Sequence, residues 1–164
     1  MALPLSVVVR PSTGASEYPA LVEIWADAVR DTHDFLDPAD FARIRGNLSD
    51  AYFPAASLVV AEHEGQPVGF AGVLDGGLEM LFVSPQAAGR GVGSALLEHV
   101  LDQHGVDRVD VNEQNPAAFG FYVRRGFEVV GRSDTDGDGR PYPILHLRRA
   151  AVGGVPGTEA TQSS

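Results

Sequence analysis

Leu81-Phe-Val-Ser-Pro-Gln-Ala-Ala-Gly89-Arg90-Gly91-Val92-Gly93-Ser94-Ala95-Leu96-Leu97 is the stretch on which the reading of this chain turns. Its first residues close an apolar run, Leu78 to Val83, that predicts a strand. Its last residues open a run with Val92, Ala95, Leu96 and Val100 apolar, which predicts a helix from Gly91 to Gln103 that Gly105 ends. Between the two, Gly89, Gly91 and Gly93 strip side chains from the bend, so an anion can come close to exposed amides. The helix N-terminus adds unsatisfied N–H donors and about half a positive charge, and Arg90 adds a mobile cation. These are the parts of a diphosphate cradle. A tight loop that only caps a helix uses the same glycines, so the turn alone does not decide the matter. The Walker pattern needs Gly-Lys-Ser/Thr, and no lysine stands here. The dinucleotide fingerprint needs a glycine or alanine where Ser94 stands, although Asp110, about 20 residues on, suits that rival.

Working outward, Leu5–Val9 predicts a first strand stopped by Pro11. Leu21, Ile24, Trp25, Ala28 and Val29 predict a helix from Glu17, with Ser16 as candidate N-cap. A second helix is expected from Asp37-Pro38 to about Leu48. Strands follow at Leu58–Ala61, Val68–Leu74 and Leu78–Val83, with turns at Glu64-Gly65-Gln66-Pro67 and Asp75-Gly76-Gly77. After the glycine turn and its helix come a strand (Val106–Val111), a helix (Asn115–Arg125) and two last strands (Phe127–Gly131 and Ile144–Leu147). The order β-α-α-β-β-β-α-β-α-β-β predicts an α/β (α+β) domain. Its central sheet is mixed, mostly antiparallel and of about seven strands, with helices on both faces.

The chain has 164 residues, a length for one domain. That domain is expected over 1–150, and the tail Gly153–Ser164, rich in Gly, Ser and Thr, is expected to be disordered across 151–164. Acidic residues outnumber basic ones by 22 to 12, a formal charge of −10 that argues against nucleic acid and anionic membrane as partners. With no cysteine, disulfides, thiolate metal sites and cysteine nucleophiles are excluded. The N-terminal stretch lacks the basic n-region and long apolar run of a signal peptide, so none is expected; no apolar run is long enough to span a bilayer, and the expected location is cytoplasmic.

A second motif completes the picture: Asn112-Glu113-Gln114-Asn115-Pro116-Ala-Ala-Phe119-Gly120-Phe121-Tyr122-Val-Arg124-Arg125-Gly126-Phe127. The glycine turn resembles motif A of the GNAT N-acetyltransferases, Arg/Gln-x-x-Gly-x-Gly/Ala, which binds the diphosphate of acetyl-coenzyme A. Gly91 and Gly93 match its small positions; Ala88 stands where the family has Arg or Gln. The second motif resembles the family's Asn, helix, Phe-Tyr and Gly-Phe. His33-Asp34-Phe35-Leu36 and Pro141-Tyr142-Pro143 resemble its small bacterial members, and the likeness runs to about residue 149.

The resemblance implies direct acetyl transfer from acetyl-coenzyme A to an amine, either a small molecule or a protein lysine. Tyr122 is then the general acid near the coenzyme sulfur and Glu79, on the strand before the turn, the candidate base. Leu81, Phe82 and Val83 supply backbone contacts to the thioester and pantetheine. Gly89, Arg90, Gly91, Val92, Gly93 and Ser94 hold the diphosphate, and Asn115 touches the coenzyme arm. Trp25, His33 and Asp34 fall on the acceptor side. Each residue also has a plainer reading: Tyr122 and Trp25 as core aromatics, Glu79 as an outward charge, Asn115 as an N-cap, His33-Asp34 as a local turn. Arg124 and Arg125 are read as offsetting a helix dipole. Asp134-Thr-Asp136-Gly-Asp138-Gly139 imitates a calcium loop, but Leu145 takes the place of the required Glu, so a polar hairpin turn is expected. No metal is expected, since the histidines show no ligand spacing. The chain is expected as a monomer or homodimer. Two other functions stay open: a catalytically weak coenzyme-A-binding regulatory module, and a nucleotide-binding oxidoreductase.

Overall fold

Seven strands form one sheet in the order β1-β2-β3-β4-β5-β7-β6, in a computed structural model that describes residues 3–32 and 36–150. His33, Asp34, Phe35 and the 151–164 tail lie outside the described residues. The strands are β1 (Val8–Pro11), β2 (Ser57–His63), β3 (Gln66–Leu74), β4 (Gly77–Val83), β5 (Arg108–Asn112), β6 (Phe127–Ser133) and β7 (Ile144–Arg149). The helices are α1 (Tyr18–Thr32), α2 (Pro38–Asn47), the single turn α3 (Phe53–Ala55), α4 (Val92–His104) and α5 (Pro116–Val123). Only β4 and β5 run parallel, joined through α4; every other pairing is antiparallel.

The sheet carries a core on each face. On one, α4 and α5 pack Val92, Leu96, Leu97, Val100 and Tyr122 onto Val59, Ala71, Leu78, Val109 and Leu147. On the other, α1 and the chain after α2 pack Leu21, Trp25, Leu48 and Phe53 onto Val60 and Phe70. Each such side chain contributes roughly 1.5–3 kcal/mol by leaving water. Gly69 lets α4 settle onto the sheet, because a Cβ there would stand 3.1 Å from Val92 and 3.2 Å from Leu96.

The elements follow the sequence pattern with three corrections. The first strand is Val8–Pro11, not Leu5–Val9. On an edge strand Pro11 costs no ladder bond, while the Leu5 N–H is drawn off to the Arg90 carbonyl at 2.9 Å. Ser16 is not the cap of α1. A single tight helical turn, Ala15–Glu17, precedes that helix, and the Glu17 carboxylate accepts instead from Thr13 N–H and the Ser12 hydroxyl, both at 3.1 Å. Beyond α2 the chain widens into a π-type turn, Leu48–Tyr52, before α3. Asp37 does cap α2, accepting from Ala39 N–H at 2.7 Å, and Asn115 caps α5, accepting from Ala118 N–H at 3.2 Å.

Candidate active site

A bulge makes the site. On β3 and β4, Val73 pairs with Leu78 but Gly72 pairs with Met80, so Glu79 is the extra residue. A bulge bends its strand and re-aims side chains. β4 pairs with β5 only at Gly77↔Arg108 and Leu78↔Val109, and past Leu78 the two strands part. The resulting cleft, about 130 Å³, is lined by Glu79, Met80, Asp110, Asn115 and Tyr122 among others. The β4 edge facing it has lost its strand partner, so its backbone groups can pair with an extended ligand.

At one end the cleft adjoins a larger cavity of about 560 Å³, with which it shares Leu81, Phe82, Asn115, Ala118 and Tyr122. Gly89, Gly91, Gly93 and Ser94 line that cavity. Gly91 sits at the head of α4 with φ +88° and no side chain capping the helix, and Gly89 has φ +75° with open space where a Cβ would be. Left-handed backbone here both favours glycine and bares the first amides of α4. Arg125, just past the C-terminus of α5, lines the cavity with Arg124. Its guanidinium donates to the Ser94 hydroxyl and, at 3.0 Å, to the Phe121 carbonyl, and it lies 3.8 Å over the Phe121 ring.

At the other end the cleft adjoins a cavity of about 300 Å³ between α1, α2 and the sheet, with which it shares Glu79, Met80 and Phe82. Its walls are Trp25, Ile44, Leu48, Tyr52 and two alanines. Trp25 is buried and stacks on Phe41 at 4.9 Å, so it is a core residue that also forms a wall.

The two titratable groups at the cleft differ. Tyr122 is buried edge-on to Phe121 and Phe127. Burial pushes its phenol well above the usual range, against a smaller pull from Arg125, so it holds its proton. Its hydroxyl makes no hydrogen bond to any described residue. Glu79 is exposed as a residue, yet its carboxyl is partly desolvated. Desolvation raises its pKa, Asp110 and Asp75 add to the rise, and Arg108 opposes it.

The acetyltransferase (GNAT) domain family matches residues 54–129. The chain is 44% identical over 128 residues to the peptidyl-lysine N-acetyltransferase YjaB of Escherichia coli K12, spanning 77% of this chain and 86% of that protein. This chain belongs to the GNAT acetyltransferase family. A second E. coli relative, the peptidyl-lysine N-acetyltransferase YiaC, is 33% identical over 116 residues, 70% of this chain and 80% of that one. The solution structure of apo YjaB superposes with TM-score 0.81 at 38% identity, over 90% of this chain and all of that one. PaiA N-acetyltransferase from Thermoplasma acidophilum, solved with coenzyme A, shares the fold at TM-score 0.69 and 18% identity, over 89% of this chain and all of that one.

In this acetyltransferase most of the residues singled out from sequence come together. Leu81, Phe82, Val83, Gly89, Gly91, Gly93, Ser94, Asn115 and Tyr122 share one cavity, with Glu79 and Trp25 farther along the passage. Val92 is adjacent only through its backbone, its side chain being in the core. Arg90 is not brought in: its Nε donates to the Leu3 carbonyl at 3.0 Å, so it pins the N-terminal segment instead. His33 and Asp34 lie outside the described residues. Sequence reasoning gave Arg125 to the helix dipole and missed its reach to Ser94, a contact between residues 31 apart in sequence that only the fold brings together. The 134–139 stretch is also more than a solvated turn, since Asp138 pairs with Arg43 of α2 at 2.7 Å. Among the described residues no cluster has the makings of a metal site, and no helix is long and apolar enough to cross a membrane.

Proposed function

We propose that this acetyltransferase moves the acetyl group of acetyl-coenzyme A directly onto a primary amine, and that the amine is a lysine side chain. The observation that carries this reading is the parting of β4 and β5, which joins the bared head of α4 to the α1/α2 cavity through one cleft with Tyr122 and Glu79 on its walls. When bound, the coenzyme supplies the activated acyl group as a thioester.

The amides of Gly91, Val92, Gly93 and Ser94 bind the diphosphate, with Arg125 as the cation that Ala88 does not provide. The unpaired edge of β4 at Leu81–Val83 holds the pantetheine amides and donates an N–H to the carbonyl oxygen as charge builds on it. Asn115 sits where the arm passes α5. Glu79 takes a proton from the incoming ammonium, whose own pKa is about 10.4. The desolvation that raises Glu79 makes it a better proton acceptor than a solvated carboxylate. Tyr122, kept neutral by burial, donates a hydrogen bond or a proton to the departing sulfur. Trp25, Tyr52 and Met80 pack against an apolar stem. A lysine's four methylenes suit such a wall, and the relatives named as peptidyl-lysine acetyltransferases support that choice.

The chain itself contains no lysine, all 12 basic residues being arginine, so thiol release in an assay carries no background from its own ε-amines. The test is titration calorimetry with acetyl-coenzyme A and with NAD, then thiol release with N-terminally blocked lysine peptides. Binding of acetyl-coenzyme A and peptide-dependent thiol release are expected. Binding of NAD in its place, or binding without turnover on any amine, overturns the reading.

A further inference from the structure

Amine acetylation leaves a proton to dispose of. The ammonium nitrogen sheds two protons on becoming an amide, the departing thiolate takes one, and one must leave the site each turnover. Glu79 cannot keep it and act again. A line of polar groups leads away from Glu79 on the α1/α2 face of the sheet. Glu79 follows the last β4–β5 pair on its strand, and Asp110 follows it on the other; both line the cleft. Asp110 stands across from His146 of β7, and its Oδ1 lies 2.7 Å from His146 Nδ1. His146 Nε2 lies 2.7 Å from the Ser133 Oγ of β6. The groups therefore step across four neighbouring strands, from the cleft to half-exposed positions near the sheet edge.

The chemistry of each contact suits proton passage. The Asp110 carboxylate only accepts, so Nδ1 carries the proton and Nε2 of the neutral ring accepts from the Ser133 hydroxyl. When the ring takes up a proton, that hydroxyl turns and accepts from Nε2–H, so neither state breaks a hydrogen bond. The same order of atoms occurs in hydrolytic triads, but Ser133 lines none of the three cavities, whereas Asp110 faces the cleft. The charges around the line are Glu79 at the cleft, Asp75 and Arg108 acting on it, the Arg148–Asp107 pair on one side and the Arg132–Glu113 pair on the other. Imidazole is the side chain that exchanges protons most readily near neutral pH.

We propose that Asp110 and His146 relay the proton released at Glu79 out to solvent, through water in the cleft. The relay rests on the amine-acetyl-transfer reading above. It is tested by kcat and kcat/KM for acetyl-coenzyme A with a blocked lysine peptide from about pH 6 to pH 10, in wild type, His146→Gln, Asp110→Asn and the double variant. The positions are half or fully exposed, and the exchanges preserve size. Each variant should lose about tenfold in kcat near pH 7 and recover as the pH nears that at which the amine sheds its own proton. Added imidazole should restore His146→Gln, the double variant should be no slower than either single one, and the calorimetric Kd for acetyl-coenzyme A should stay fixed. An unchanged pH profile overturns the relay. So does an equal loss at every pH without imidazole rescue, which is the mark of a purely structural pair. Failure of the wild type to bind acetyl-coenzyme A overturns the underlying reading instead, and calorimetry detects that before any variant is made.

Discussion

The two ends of the passage are made of different material. At the head of α4 the exposed groups are main-chain amides, bared by left-handed glycines. Between α1, α2 and the sheet they are side chains from three stretches far apart in sequence: Trp25, Ile44 to Ala56, and Leu74 to Phe82. A site built of backbone tolerates side-chain change, so the proposed cradle does not depend on Arg or Gln at Ala88. A site built of side chains can take a new acceptor with a few substitutions and no change of fold.

The contrast breaks first at the glycine turn. Gly91→Val forces a β-branched residue into φ +88°, a strain of about 1–3 kcal/mol, and sets its methyls among the amides. Coenzyme affinity should fall about a hundredfold, ~2.7 kcal/mol, by calorimetry. Unchanged affinity would mean that the amides are not the ligand contacts. Tyr122→Phe removes one hydroxyl from a buried ring. Thiol release should drop about a hundredfold in kcat with the coenzyme Kd unmoved, and a change in Kd alone would return Tyr122 to the core.

Glu79 joins the two ends and gives the pH dependence its sign. Its pKa is raised, chiefly by desolvation. Activity should therefore fall as the pH drops through that raised value, from a higher pH than a solvated carboxylate would set. Glu79→Gln should abolish this acid limb and lower kcat near pH 7 about tenfold; a variant with the wild-type profile would remove Glu79 from the reaction. Arg125→Gln is milder. Losing one charge-assisted contact should weaken coenzyme A about fivefold at low salt and less at high salt. S-acetylpantetheine, which lacks the diphosphate, should bind both forms alike. Equal weakening of the two ligands would make Arg125 a prop for Phe121 and Ser94.

How much was legible follows the same division. The order of strands and helices, the glycine turn and the Asn115 cap depend on neighbours within a few residues, and all could be read from the chain. The bulge at Glu79 could not, because a bulge is a relation between strands and leaves no mark on one of them. Arg90 and Arg125 could not be told apart for a similar reason: long-range contacts to the Leu3 carbonyl and the Ser94 hydroxyl turn Arg90 away and place Arg125, with Arg124, on the cavity wall. Trp25 was ambiguous between core and wall because it is both. The π-type turn after α2 continues a helical pattern without announcing its wider winding.

The smallest effect expected comes from a polar clasp beside the α1/α2 cavity. Tyr142, from the loop between β6 and β7, donates to the buried Asp40 of α2 at 2.5 Å and accepts from Asp37 N–H at 3.1 Å. Arg140 adds an ion pair to Asp40 at 3.1 Å, and Asp138 of the same loop accepts from the cavity residue Tyr52 at 3.2 Å. The Tyr142 hydrogen bond, with Arg140 and Arg43, holds the Asp40 carboxyl below its usual range against desolvation. A lowered folded-state pKa gives stability that is present above the unfolded value and lost as the pH falls through the folded one. Tyr142→Phe should therefore lower Tm at neutral pH, with the difference from wild type fading once Asp40 is protonated in both states. Because the clasp anchors α2 but touches nothing at the head of α4, KM for the amine should rise while the coenzyme Kd holds. A variant that changed the coenzyme Kd as much as the amine KM would show the two ends to be one coupled unit and would undo the division.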